Sequence, residues 1–418
     1  MEAQILMNRK GSNSVQVRRY NERVVLEALQ RLGTASKADL ARSTQLTNQT
    51  VAGIVDALVD VGLVENRGRR TGQMGQPSIL YGAASDGAYS IGIHIGRRAL
   101  DAVLVDFVGT VLRSESSEYD YPEPTGVARL AVSFVDTLTA SLPTAQRDRI
   151  IGVGVAIPYF LGGWANELGF PPAVAKSWQS LDVREYLLSE IGQPLRFEND
   201  ASAAAAAELV YGRGREYKNW IYLSINTFIG GGLIINGNLE VGPHGNSAAF
   251  APHPVSVSRL ASVPPPARPF EILLHRASIY VLMNHLRTNG IAINRANDLE
   301  ALGEGAEPFL TEWIEDAADA LAQAIIGSIA VIDVEAIVID AILPRSVLER
   351  TVASVQKSFA AFLPAGLVEP EIIMGTIGRQ AAAIGGAILP LYAMFAPDSG
   401  VLVKSTAQKK TSPILSAS

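Results

Sequence analysis

The chain has no cysteine in its 418 residues. That excludes a disulfide framework and thiolate metal sites, and it makes the cytoplasm the simplest address. A membrane span is also missing: it would need about 18 consecutive apolar residues, and the run 329–342 is interrupted by Asp333, Glu335 and Asp340. The first ten residues, MEAQILMNRK, lack the apolar core of a secretory signal. Acidic residues are absent from 404–418, which hold three lysines and a net charge of +3. Residues 1–85 carry 11 Lys and Arg against 7 Asp and Glu, a net of +4, which leaves −13 on 86–403 out of a total of −6. A basic head on an acidic body is the charge layout of a nucleic-acid-binding module joined to a body that does not touch the polymer.

With 48% hydrophobic residues the chain can bury large cores and divide into two or three domains. Residues 1–20 have no apolar periodicity and read as a mobile arm. From Asn21 onward Val24, Val25, Ala28, Leu29 and Leu32 share one helical face that Gly33 ends. Ser36 caps a short helix over 37–43, Gln45 and Leu46 turn the chain, and Thr47 caps a third helix with Val51, Ile54, Val55, Leu58 and Val61 on one side. Strands at 63–65 and 79–81 flank a loop, 66–78, rich in glycine and arginine. Together these make a winged helix-turn-helix over 21–82. The start of its third helix carries Thr47, Asn48, Gln49 and Thr50, short polar groups that can read base edges in the major groove. Arg67, Arg69, Arg70 and Gln76 in the wing, with Ser36 and Lys37 at the second helix, complete the expected contacts with double-stranded DNA.

Asp86 and Gly87 mark a boundary. Strands at 89–95, 99–106 and 110–116, a helix at 127–142 and a strand at 150–157 form the first lobe of an α/β body, 86–198. The apolar strand 194–197 then delivers Asn199 and Asp200 to its end, where α/β folds place ligand groups, and an alanine-rich helix follows over 201–209. Residues 220–225 read as a buried strand, 226–232 as a turn with three consecutive glycines, and 233–235 as the returning strand. Helices at 270–287, 307–332, 344–362 and 378–394 alternate with strands at 336–339 and 371–374, giving a second lobe over 199–397 whose last helix is a candidate to return to the first lobe. The Lys-, Ser- and Thr-rich stretch 398–418 reads as a disordered tail. Trp164 and Trp178 fall in loops that cross towards Asn199, where an indole can stack on a sugar ring, although tryptophan is more often core.

The order of strand, Glu198 to Ala201, Ala-rich helix, strand, Ile229 to Gly232, strand resembles the ROK family (repressors, open reading frames, kinases). The resemblance implies a two-lobed actin-like, sugar kinase/Hsp70-type ATPase fold behind the winged head. Kinases of that family open their first lobe with Asp-x-Gly-x-Thr, where this chain has His94, Ile95, Gly96, Arg97 and Arg98. Their second phosphate loop, Gly-Thr-Gly-Ile-Gly-Gly-Gly, is matched here by Asn226, Thr227, Phe228, Ile229 and three glycines, and the adenine-side glycine pair by Asp340 and Ala341. The zinc segment has lost its donors, with Ala249 and Pro252 at the Glu and His positions and His253 one residue off register. The expectation is therefore no catalytic residue, no metal and no cofactor. Asn199, Asp200 and Glu271 survive from the family pattern, and with Trp178 they are the candidate effector contacts.

On these residues the chain is expected to be a transcriptional regulator, a repressor of carbohydrate uptake or catabolism genes. It would work as a homodimer or homotetramer, bind a sugar or sugar derivative between its lobes, and make no contact with membrane. An active sugar kinase with a DNA-binding head, or a regulator answering to a protein partner, are the alternatives.

Overall fold

The computed structural model describes residues 12–70, 78–159, 161 and 171–397. The head consists of α1 (Ser12–Leu32), α2 (Lys37–Thr44), α3 (Asn48–Asp60) and the antiparallel pair β1 (Val64–Arg70) and β2 (Ser78–Ala83). Ser36 caps α2 through a reciprocal capping box with Asp39, and Thr47 caps α3 by accepting from the Thr50 amide. Between the two helices Gln45 turns the chain in the left-handed region, at φ 58°. Two head expectations are corrected. Helix α1 starts at Ser12, so 12–20 is no arm: neither proline nor glycine interrupts 12–32. Its packed half around Val25 and Leu29 supplies the nucleus from which a helix propagates cheaply. The wing strands reach Arg70 and begin at Ser78, because a bulge between Asn66 and Arg69, with Gly68 at φ 102°, keeps them paired past the expected loop.

The first lobe runs β3 (Tyr89–Ile95), β4 (Ala99–Asp106), β5 (Val111–Glu118), α4 (Pro124–Ser141), α5 (Thr144–Arg147), β6 (Ile150–Ala156), α6 (Pro172–Ser180), α7 (Val183–Glu190) and β7 (Leu195–Glu198). Its sheet has the order β5-β4-β3-β6-β7, with β3, β6 and β7 parallel and the β3–β4–β5 meander antiparallel. Helix α8 (Asp200–Tyr211) leads into β8 (Trp220–Ile225), β9 (Ile229–Ile235) and β10 (Asn238–Leu239), followed by the small pair β11 (Pro254–Val255) and β12 (Glu271–Ile272). Then come α9 (Leu274–Ala277), α10 (Ile279–Thr288), α11 (Glu307–Ile329), β13 (Ala336–Ala341), α12 (Arg345–Phe362), β14 (Glu371–Met374) and α13 (Ala381–Phe395). The second sheet, β10-β9-β8-β13-β14, repeats the order and directions of the first. The helix expected over 270–287 is broken at Ser278, which is extended and caps α10 while the Ile279 and Tyr280 amides donate to the Asn226 and Thr227 carbonyls.

The three glycines lie inside strand β9 and not in a turn, which is the main correction to the body. Their alternation explains them. An added Cβ at Gly230 would come within 2.7 Å of the Ala201 Cβ and one at Gly232 within 2.4 Å of the Ala205 Cβ; one at Gly231, on the other face, would meet the Phe250 ring at 2.4 Å. Helix α8 is alanine-rich for the matching reason: it sits almost backbone-to-backbone on β9. The last helix, α13, packs on β3, β4, β6, β7 and α8, all belonging to or adjoining the first lobe.

Candidate functional site

A cleft of about 730 Å³ opens between the two sheets. Its walls come from the carboxyl-terminal ends of parallel strands, where Pro158 and Tyr159 follow β6, Asn199 and Asp200 follow β7, and Asn226 follows β8. Asn199, not Asp200, caps α8, its side chain accepting from the Ala201 and Ser202 amides. Asp200 is thereby free to face the cleft. Its Oδ2 lies 3.7 Å from His94 Nε2, and His94 Nδ1 lies 3.6 Å from Asp101 Oδ2. Burial alone would lower the His94 pKa, but the two carboxylates outweigh it and raise the imidazole to about 9. Burial would raise Asp200, and His94 and Arg97 outweigh that effect and hold it below its ordinary value. The result is an imidazolium held between two carboxylates, one from each side.

This arrangement carries a pH prediction. Because the folded pKa of His94 stands above its ordinary value of 6.5, its contribution to stability is fully present below about pH 6.5 and is lost as pH rises through about 9. Asp101 and Asp200 are the acids facing it, with Arg97 acting on Asp200 and Arg379 on Asp101. The unfolding free energy of the native chain should exceed that of His94→Asn by on the order of 3 kcal/mol near pH 6, where Asp101 and Asp200 are ionised, the difference vanishing near pH 10. A difference that did not change with pH would show that the ring is neutral.

Around this centre the second lobe contributes Phe228, which is 4% exposed and packs against Ile272 and Leu274. Its ring meets Tyr280 edge-on at 6.4 Å and carries the Arg97 guanidinium 4.4 Å above its centroid. At the far end Asp340 is buried, accepting from the Ala341 and Gly378 amides at 2.9 Å and from the Tyr222 hydroxyl at 3.3 Å. The segment after β14 is drawn against it, so that a Cβ at Gly375 would stand 2.7 Å from that of Asp340. At the mouth Glu118 of β5 accepts from Arg295 at 2.9 Å and Asn297 at 2.6 Å, which ties the two lobes together. Among the described residues no cluster of His, Asp or Glu is placed to hold a metal ion; His253 stacks at 6.0 Å on Phe250.

Two expected effector contacts are not in the cleft. Glu271 is 3% exposed and its Oε1 accepts from the Ile272 amide and from His275 Nδ1, both at 2.8 Å, so its carboxylate is used inside the second lobe. Trp178 donates from Nε1 to the Pro122 carbonyl at 2.8 Å and packs on the first-lobe core. Trp164 lies outside the described residues. Sequence reasoning missed Asp101 and Arg97 as site groups. The register of β3 on β4 pairs His94 with Asp101, a relation that follows from the hairpin turn at 96–98 once its length is known.

In the head, Thr47, Asn48, Gln49 and Thr50 are all exposed at the start of α3, with the Thr47 and Thr50 hydroxyls 2.8 Å apart. Arg69 is exposed on β1. Lys37 is paired with Asp56 at 2.5 Å and lies over the Tyr81 ring, Arg67 with Glu65 at 2.8 Å, and Arg70 with Asp39 at 3.1 Å. Ser36 is corrected from the expected contacts: it is 5% exposed and its hydroxyl is committed to Asp39. Gln76 lies outside the described residues.

Fold and site together define a two-lobed α/β body of the actin-like, sugar-kinase kind, carrying a winged helical head. The chain contains a ROK family domain, matched over residues 90–261. It is 26% identical to a xylose repressor of Bacillus spizizenii over 231 residues, 55% of this chain and 59% of that one. It is 30% identical to a glucokinase of Streptomyces coelicolor over 162 residues, 38% of this chain and 48% of the enzyme. The chain thus spans about half the length of these curated relatives. Among solved structures it resembles a ROK family transcriptional regulator, described as a homolog of the E. coli MLC protein, with a TM-score of 0.66, 17% identity and coverage of 93% of this chain and 98% of that one. Among the described residues no helix is long and apolar enough to cross a membrane.

Proposed function

We propose that the protein is a sequence-specific DNA-binding repressor of carbohydrate uptake or catabolism genes, located in the cytoplasm, whose two lobes close on a sugar or sugar derivative. The observation that carries this reading is the course of α13. Ala381 and Ala382 at its start line the cleft. At its other end Phe395 lies edge-on against Phe107 at 4.9 Å, and Arg23 of α1 donates to the Ala396 carbonyl at 3.1 Å. One continuous helix therefore runs from the ligand cleft to the head, so a ligand that favours one lobe arrangement also biases the seat of the head. Similarity to a xylose repressor supports the same reading. A symmetric homodimer, or a pair of dimers, would read a pseudo-palindrome with half-sites about 34–36 Å apart or a multiple of that.

Phosphoryl transfer is not part of this function. A nucleotide would have to share its phosphate pocket with the Phe228 ring and its adenine side with the buried Asp340, and the residues present do not fit it. With His94 in place of a carboxylate, the oxygen donors that Mg²⁺ prefers are reduced at the same point. Zinc does not fit either, since among the described residues His253 has no partner donors with which to complete four ligands.

The reading is tested by selecting bound sequences from random duplex DNA with the full chain, then measuring operator affinity with and without sugars. The enriched sequence should be a pseudo-palindrome, and an active sugar should change operator affinity at least about tenfold, a coupling of about 1.4 kcal/mol. Asp200→Ala should remove that response and leave the ligand-free operator affinity as it is, because the head contacts α13 and not Asp200. Failure to enrich any sequence would sink the regulator reading, and sustained ADP production with a sugar, above the Asp200→Ala background, would restore the kinase.

A further inference from the structure

We propose that the molecule recognised by this cleft carries a negative charge, a carboxylate or phosphate on a sugar skeleton, and that Arg97 is its counter-ion. This rests on the cleft being the effector site and adds the chemical class of the effector.

Arg97 sits in the β3–β4 turn and lines the cleft beside His94. Its guanidinium is stacked on Phe228 at 4.4 Å, an arrangement that fixes the plane of the group and leaves its N–H edge for another partner. The Nε atom is buried without any hydrogen-bond acceptor. Asp200 acts on Arg97 through space, yet its carboxylate is turned to His94 at 3.7 Å. A part-buried guanidinium with an unused donor costs free energy until an anion meets it, and a planar carboxylate or a phosphate can do so with two parallel hydrogen bonds.

The cleft as a whole leans the same way. Among the described residues six cationic side chains line it, namely His94, Arg97, Arg98, Arg287, Arg295 and Arg379. Four carboxylates, Asp101, Glu118, Asp120 and Asp200, oppose them. A surplus of two positive charges thus faces a cavity in a stretch of chain, 86–403, whose net charge is −13. Four of the cations are already engaged: His94 stands between Asp101 and Asp200, Arg98 donates to the Asp120 carbonyl, Arg287 donates to the Ile293 carbonyl at 2.8 Å and to Asn284 Oδ1 at 3.0 Å, and Arg295 is held by Glu118 at 2.9 Å. Among the described residues, Arg97 is stacked in place with a donor unspent. A neutral sugar would offer it only hydroxyls, which accept more weakly than an ionised oxygen.

The test is calorimetric titration of the full-length protein with glucose, galactose, glucuronate, galacturonate, gluconate and glucose 6-phosphate, in low and high salt. At least one anionic probe should bind tenfold or more tightly than its neutral parent, with the advantage shrinking in high salt. Arg97→Gln should remove that advantage, and Arg97→Lys, which keeps the charge, should retain part of it. The phosphate and carboxylate arms separate the two sources of charge. Neutral parents binding as tightly as their anions, or an anion preference unchanged in Arg97→Gln, would overturn the proposal while leaving the cleft an effector site. If none of the six probes binds, both the proposal and the effector reading fall. Thermal melts of each variant identify a loss that comes from misfolding.

Discussion

Replacing Arg276 with Ala is expected to cost about 3–5 kcal/mol of folding stability, the range for leaving one partner of a buried ion pair alone. Arg276 and Asp316 are each 1% exposed. From Arg276, Nε donates to Asp316 Oδ2 at 3.0 Å, Nη2 to Asp316 Oδ1 at 2.8 Å and to its carbonyl at 2.7 Å, and Nη1 to the Ser256 hydroxyl at 2.8 Å. The pair joins α9 to the middle of α11 and to the loop after β11. Without the guanidinium, Asp316 keeps, among the described residues, the Ser258 hydroxyl at 2.9 Å and the Arg259 amide at 2.8 Å, and its charge stays buried. The adjoining helix α10 supplies Tyr280, Met283 and Asn284 to the cleft, so ligand affinity should fall with stability. Urea unfolding with an unchanged denaturant slope measures the loss. The double variant Arg276→Met with Asp316→Leu should recover most of it, because matched apolar groups leave no charge unpaired. A loss below about 1 kcal/mol in the single variant would mean that water or a neighbour satisfies Asp316.

Gly154→Ala should be about as damaging, on the order of 3 kcal/mol or more, through overpacking. The added Cβ would stand 1.8 Å from the Gly386 carbonyl oxygen, a backbone atom that cannot turn aside as a side chain would. The same closeness recurs where a Cβ added at Gly92 would stand 1.9 Å from the Ala383 carbonyl oxygen and one at Gly385 1.8 Å from that of Ala203. Helix α13 is thus seated on β3, β6 and α8 by glycines at each contact, and a methyl group must lift it. Since its far end packs on Phe107 of the first lobe and is held by Arg23 of the head, Gly154→Ala should, on the proposed function, also weaken the coupling between ligand and operator affinity. Gly192→Ala is the control: nothing lies within 4 Å of its added Cβ, so stability should change by no more than about 1 kcal/mol. Equal melting temperatures for the two variants would show that α13 does not rest on Gly154.

Where a local pattern decides structure, the chain was readable without coordinates. The strands over 220–225 and 371–374 match their observed bounds, because the first is an apolar run between Asn219 and Asn226 and the second a short β-rich run between Pro370 and Gly375. Helix caps at Ser36 and Thr47 were equally plain, since a cap needs only the residues that follow it. The triple glycine was misplaced for the opposite reason. Glycine in a row signals a turn locally, and only the approach of Ala201, Ala205 and Phe250 from two sides shows why a strand needs it. The family pattern pointed Glu271 to the cleft and a crossing loop pointed Trp178 there, but the Ile272 amide and His275 hold the first and the Pro122 carbonyl the second.

By itself, then, the sequence determined the doubled α/β order, the winged head, the charge division between head and body, and the presence of Asn199 and Asp200 at a strand end. These depend on periodicity, capping and composition, all properties of residues close together in the chain. Tertiary structure alone decided that His94 stands between Asp101 and Asp200, that Arg97 lies stacked on Phe228 with a donor unspent, and that α13 reaches from the cleft to the head. Each of these joins groups from different elements. Their distances, and hence their charges and partners, are fixed by how the sheets and helices pack and not by spacing along the chain.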